Sequence, residues 1–323
     1  MRLECPGLCD LQVNGFAGVD FNARELSADR VRFALEQLRL TGVTRLLPTL
    51  ITSSLDDFAT CARTLADLED PAIAGIHMEG PYISAEDGAR GAHPRAHVVA
   101  ASRDDFERRQ EAARGRIVLV TLAPEVEGAI ALIEWLVTNG VRVAVGHTSA
   151  SGNQIAAAVA AGATLSTHLG NGCPSILPRH PNVIWEQLAA DGLLASVIVD
   201  GHHLPAATVK SIVRAKGVER MILVTDATAA AGSRPGRYRI GDVECELEAD
   251  GRVSLPGTAF LAGSSLTLDR AIANAARDTG LPIEDVIRMA SQTPASYLGI
   301  EPAGTVTADW DGRQQFRVLN VEC

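Results

Sequence analysis

No stretch of this chain is apolar for long enough to cross a bilayer. The opening MRLECPGLCDLQVNG lacks the uninterrupted apolar core of a secretory signal. Neither a membrane protein nor an exported one is expected, and the expected location is the cytoplasm. Cysteine is sparse and scattered, at Cys5, Cys9, Cys61, Cys173, Cys245 and Cys323, with no CxxC pair. That excludes a disulfide scaffold, which is small and cysteine-dense, and a cysteine-based zinc site, which needs close pairs. Positive charge is in deficit: the formal net charge is −10, with no block of like charges. A nucleic-acid partner is excluded on that ground, because a phosphate backbone needs a basic face. A small anion needs only one or two local cations and stays open. There is no tandem repeat and no low-complexity segment.

What is present is an alternation. Short β-branched apolar runs begin at Leu8, Gly42, Ile73, Arg116, Arg142, Thr164, Leu194 and Met221, eight in all. Most are continuously apolar, as strands buried on both faces must be. Helical spacing fills the gaps. Ser27 is placed to cap a helix burying Val31, Leu35 and Leu38, and Ser54 one burying Phe58, Ala62 and Leu65. Ile130, Ile133, Trp135 and Leu136 share a face before Gly140, and Pro205 precedes Val209, Ile212 and Val213. Strand alternating with helix eight times predicts an α/β fold, a (β/α)8 TIM-like barrel. A doubly wound open sheet is compatible with the same alternation; the placement of the polar residues favours the barrel. The 323 residues suit a single barrel over 6–301. A hairpin-like insertion is expected near 233–256, with Asp250-Gly251 as a turn. Helical patterns return over 266–279 and 283–291, and the tail from 304 shows little pattern beyond FRVLNV.

Barrel enzymes carry their chemistry at the C-terminal ends of the strands. The first run ends in Gln12 and Asn14, the third in His77 and Glu79. The fifth ends in His147, the sixth in His168 and Asn171, and the eighth in Asp226; His202 and His203 follow the seventh. A lone strand histidine is ordinarily a satisfied core residue. Glu79, His147 and His168 at one end of three strands instead form a catalytic metal set, two imidazoles and a carboxylate with room for water. His77 shares a sheet face with Glu79 and is read as a supporting or interior residue rather than a ligand. Asp226 alone reads equally as a helix cap; opposite a metal site, a general acid/base role is favoured.

Beyond these single residues, PGLCDLQVNG, GIHMEGPYIS, RGAHP, VAVGHTSAS, THLGNGCP, VDGHH, LVTDATAAAG and LAGSSLT together resemble the N-acetylglucosamine-6-phosphate deacetylase family over roughly residues 6 to 300. The resemblance implies a metal-dependent deacetylase of an amino-sugar phosphate, the alternatives being another N-acyl substrate or a non-catalytic binding protein. It implies Glu79, His147 and His168 as metal ligands and Asp226 as acid/base. It implies His203 as the group polarising the acetyl carbonyl, and His93 as sugar-binding. Asn171 and the Gly172 backbone match the phosphate-side turn, and Arg179 an arginine on the phosphate, with a homodimer as the implied assembly. Gln12 and Asn14 stand where many amidohydrolases have an HxH pair, which implies the single-metal branch: one divalent ion per chain, zinc or iron.

The chain also departs from that pattern. Members usually begin with a small β-sandwich segment, where this sequence has only MRLEC, and the tail is short. The sandwich is therefore expected to be reduced or absent, with 1–5 and 302–323 its remnant. Gly170, Gly172 and Cys173 replace bulkier residues, and alanine stands in DATAAAG where proline is common.

Overall fold

The computed structural model describes residues 1–323. Strand β1 (Arg2–Pro6) belongs to a sheet built from the chain ends. The eight barrel strands are β2 (Leu8–Val13), β3 (Val43–Ile51), β4 (Ile76–Glu79), β5 (Ile117–Leu122), β6 (Arg142–Val145), β7 (Leu165–Ser166), β8 (Leu194–Val197) and β9 (Met221–Leu223). These pair in sequence order, all in parallel. All six residues of β2 are buried, because side chains on one face fill the barrel and those on the other meet the helices.

Just past β9 the ring closes. Asp226 N donates to Gln12 O at 3.0 Å, and Asn14 N donates to Ala227 O at 2.7 Å. An open doubly wound sheet would leave these two edges apart, so the alternative is removed.

Eight helices follow the eight strands: α1 (Ala28–Arg39), α2 (Leu55–Asp67), α3 (Arg103–Ala112), α4 (Ala129–Thr138), α5 (Gly152–Ala160), α6 (Val183–Ala189), α7 (Ala206–Lys216) and α8 (Leu268–Thr279). Ser27 accepts from Arg30 N and Ser54 from Asp57 N, so both serines cap as their sequence context predicts. Pro205 is the N-cap of α7, ahead of Val209, Ile212 and Val213. One expectation shifts slightly: in α4 Ala129 and Leu132 are buried more deeply than Ile130 and Trp135. Helices α9 (Ile283–Ala290) and α10 (Gln292–Leu298) lie against β2, and Ser291 Oγ donates to Gly7 O at 2.8 Å, where β2 begins. No helix is long and apolar enough to cross a membrane.

The insertion is a three-stranded antiparallel sheet of β10 (Gly236–Ile240), β11 (Val243–Leu247) and β12 (Val253–Ser254). Asp250-Gly251 lies in the turn between β11 and β12, and Gly251 has φ +93°. The tail holds more order than its sequence suggests. Strand β13 (Thr305–Trp310) pairs antiparallel with both β1 and β14 (Phe316–Glu322). Alternate residues Val306, Ala308 and Trp310 are buried, a period of two masked by the small and polar residues between them.

Candidate metal centre and pocket

The strand ends deliver the key side chains by an unusual backbone. Five residues other than glycine have positive φ: Ala17, Arg114, His147 at +49°, His168 at +32° and Asp226 at +51°. Three of the five are therefore site residues from the barrel mouth. Each such conformation costs on the order of 1–3 kcal/mol and persists only where the surroundings enforce it. Gly172, at φ +54°, adapts to this crowding: a Cβ there would lie 3.0 Å from His147 Nδ1 and 3.1 Å from His168 Cε1.

Three ligand atoms converge. His147 Nε2 is 3.2 Å from Glu79 Oε1, His168 Nε2 is 3.1 Å from the same oxygen, and the two Nε2 atoms are 3.1 Å apart. All three residues are buried. Tetrahedral bonds of about 2.0–2.1 Å put neighbouring donor atoms roughly 3.3 Å apart, so this triangle has the size a divalent ion requires. The chemistry also fits. His147 Nδ1 donates to Ala89 O at 3.0 Å, which leaves the Nε2 lone pair facing the other two groups. His168 Nδ1 is buried without a partner. Burial alone would raise the Glu79 carboxyl, but the His147 and His168 imidazoles beside it hold it well below its usual range. A buried carboxylate kept ionised between two imidazoles is a donor set ready for a cation.

Asp226 faces this group across two amides. Gln12 Nε2 donates to Glu79 Oε1 at 2.9 Å and to Asp226 Oδ1 at 3.2 Å; Asn14 Nδ2 donates to Asp226 Oδ1 at 2.7 Å. Oδ2 is left for chemistry. Burial first, then the Glu79 charge, pushes the Asp226 carboxyl up to about 6. That suits a group that must both take and return a proton near neutrality. Asp226 caps no helix here: it lies between β9 and a turn, and its carboxylate is engaged by the two amides.

A cavity of about 470 Å³ opens over these residues. His93, Asn171, Gly172 and His203 line it together with Glu79, His147, His168, Asp226 and Asn14. His93 Nδ1 lies 2.9 Å from Thr52 Oγ1 and 3.4 Å from Thr52 N, and its Nε2 is 3.9 Å from Glu79 Oε2. Burial, then the neighbouring His147 charge, holds His93 well below its usual pKa and therefore neutral. His77 stays in the barrel interior, with Nε2 2.7 Å from Thr121 Oγ1 and Nδ1 3.0 Å from Leu11 O, and touches none of the three ligand residues. Arg179 is exposed on the loop before α6 and does not line the cavity of its own chain.

Sequence reasoning overlooked three contributors. Asp200 binds His203 Nδ1 at 2.7 Å; its signal was the Asp-x-x-His spacing in VDGHH. Glu125 accepts from Thr148 Oγ1 at 2.5 Å and Ser149 N at 2.7 Å, fixing the segment just after His147; only the acidic end of LAPE hinted at it. Ile240, Val243 and Phe260, in and beyond the insertion, wall the cavity, and no local pattern announces that.

The chain matches the Amidohydrolase family profile over residues 4–312. An N-acetylgalactosamine-6-phosphate deacetylase of Shewanella sp. (strain ANA-3) is 32% identical over 94% of this chain and 77% of its own length. An N-acetylglucosamine-6-phosphate deacetylase of Vibrio furnissii is 33% identical over 92% of this chain and 74% of its own. A solved structure of the Mycobacterium smegmatis N-acetyl-D-glucosamine-6-phosphate deacetylase, a mutant in complex with N-acetyl-D-glucosamine-6-phosphate, superposes with TM-score 0.92 at 33% identity. It covers 99% of this chain and 85% of that one. With the closed barrel and the Glu-His-His cluster, these likenesses establish that the chain is a metal-dependent amidohydrolase and belongs to the N-acetylglucosamine-6-phosphate deacetylase family.

Proposed function

We propose that this protein hydrolyses the acetamide of N-acetylglucosamine 6-phosphate to glucosamine 6-phosphate and acetate. The observation that carries the reading is Asp226, buried beside a triangle of Glu79 Oε1, His147 Nε2 and His168 Nε2 at the floor of one cavity. Glu79, His147 and His168 would hold one divalent ion per chain, zinc or iron. Such an ion, when bound, acidifies water and polarises a carbonyl.

The remaining work falls to the chain's own residues. Asp226 Oδ2 accepts the proton of the attacking water and returns it to the leaving nitrogen, so one carboxylate serves both steps. Gln12 and Asn14 hold its other oxygen. His203 donates to the acetyl oxygen as it becomes negative, and His93 orients the sugar beside it. Asn171 and the Gly172 backbone form the phosphate-side turn. Arg179 reaches a phosphate only from a second copy of the chain, which makes the working form a homodimer. We read the sheet of β1, β13 and β14 as the counterpart of the small sandwich. The six free cysteines suit the cytoplasm, a reducing compartment.

One observation favours a second reading, an unphosphorylated N-acyl substrate: no lysine or arginine lines the cavity of a single chain. The experiment is amine release by metal-loaded protein from N-acetylglucosamine and N-acetylgalactosamine, each with and without the 6-phosphate. Strong preference for phosphorylated N-acetylglucosamine supports the first reading. Indifference to phosphate supports the second.

A further inference from the structure

Asp200 lies in the turn after β8, three residues before His203. Its Oδ1 accepts the backbone N–H groups of His202 and His203, each at 2.8 Å. Its Oδ2 is 2.7 Å from His203 Nδ1. Both side chains are nearly shielded from solvent, at 8% and 6% exposure. The other ring nitrogen, Nε2, has no partner in the protein, and the ring lines the cavity.

This geometry allows the ring two states. A neutral His203 keeps its one hydrogen on Nδ1, where Asp200 accepts it, and turns a bare lone pair at Nε2 toward substrate. A protonated His203 keeps the same bond and also presents Nε2–H. With Asp200 ionised, its carboxyl being held below its usual range, the neutral Nε2–H form is excluded, because lone pairs on Nδ1 and Oδ2 would then face each other at 2.7 Å. A donor at Nε2 is therefore necessarily a cation.

We infer that Asp200 is a positioning residue that locks His203 as an imidazolium, and that this imidazolium, through Nε2–H, is the group with which a single chain's pocket meets a substrate oxygen that is negative or becoming so. The inference rests on the amide-hydrolysis reading above, which needs His203 as a donor. The other ionisable groups facing the cavity are Glu79, His93, His147, His168, Cys173 and Asp226. His147 and His168 direct Nε2 at the metal centre, and burial keeps His93 neutral. Glu79 and Asp226 are the acidic groups of the lining. Burial alone would raise the Asp200 carboxyl, but the hydrogen bond and charge of His203, with two backbone N–H donors, hold it below its usual range. Those two N–H donors also confine an ionised Oδ1, so Asp200 cannot turn away from the ring.

Side-chain nitrogen NMR of the metal-loaded full chain tests this, with His203 assigned by its loss in His203→Gln. At pH 7 the His203 ring should carry hydrogens on both nitrogens. In Asp200→Asn the amide oxygen keeps the two backbone bonds and its NH2 faces Nδ1, so the ring should become neutral with its hydrogen on Nε2. Steady-state kcat/KM should then fall about tenfold or more, and its alkaline limb should move to lower pH, because the ring loses its proton sooner. A wild-type His203 with bare Nε2 at pH 7 overturns the inference, whether or not Asp200→Asn folds. An unchanged alkaline limb in Asp200→Asn overturns it too. If both nitrogens are protonated but no amide is cleaved, the proposed reaction fails and the ion pair stands.

Discussion

Asn14 Nδ2 donates to Asp226 Oδ1 at 2.7 Å, tying the first barrel strand to the end of the last. A neutral amide there favours the ionised carboxylate without competing for its proton. Asn14→Asp places a second carboxylate against it, and like charge disfavours ionisation. Asp226, already pushed up to about 6, should rise further. It must be ionised to accept a proton, so the acidic limb of kcat should move to higher pH. The variant should lose more activity at pH 6 than at pH 8. A pH profile of kcat checks this, and an unmoved acidic limb would separate Asn14 from Asp226.

Glu79 provides the only carboxylate of the converging triangle. Glu79→Gln keeps the shape and removes the charge. Metal affinity should fall by more than the roughly 10–100-fold that losing a supporting partner costs, and activity should fall with it. Metal analysis after gel filtration reads the outcome. Full metal content in the variant would mean that the ion sits elsewhere.

Asp10 offers a stability test away from the ligands. Burial pushes its carboxyl up to about 7, opposed by donors from Thr225 and Gln12. A carboxyl raised in the folded state contributes stability at pH below its ordinary value of 3.8, and that contribution is lost as pH rises through about 7. In Asp10→Asn the amide oxygen can keep the N–H bonds while its NH2 donates to Thr225 Oγ1. The Tm of Asp10→Asn relative to wild type should therefore improve between pH 5 and pH 8. Equal differences at the two pH values would show that Asp10 does not titrate in this range.

Arg179 tests the assembly. It is exposed and lies outside the cavity of its own chain. A guanidinium grips phosphate with a planar fork that lysine does not copy. Arg179→Lys should raise KM for the phosphorylated sugar about tenfold, leave KM for its unphosphorylated form alone, and spare metal content. Equal KM changes for both sugars would remove the phosphate contact.

The barrel was legible because its strands are buried on both faces, so that runs such as Met221–Val224 read as apolar without alternation. The cluster was legible because parallel strands bring their C-terminal ends to one rim: Glu79, His147 and His168 are far apart in sequence but sit at the same ends of β4, β6 and β7 in one ring. The chain ends were not, since β1 buries only Cys5 and β13 buries three residues, one of them the small Ala308. Asp200 escaped notice because a carboxylate in a turn is usually a backbone acceptor, and it is that as well. The cavity wall of Ile240, Val243 and Phe260 comes from the insertion folding back over the mouth. Nothing in the local spacing of an antiparallel sheet says which way its apolar face will turn.

The central claim is that Asp226 moves the proton in amide hydrolysis. It is tested most directly by kcat for N-acetylglucosamine 6-phosphate in metal-loaded Asp226→Asn. Asparagine keeps the shape but cannot accept and return a proton. With metal content equal to wild type, kcat should fall by at least the roughly 10²–10⁴ that general acid–base catalysis supplies. A kcat near that of the wild-type protein would contradict the account.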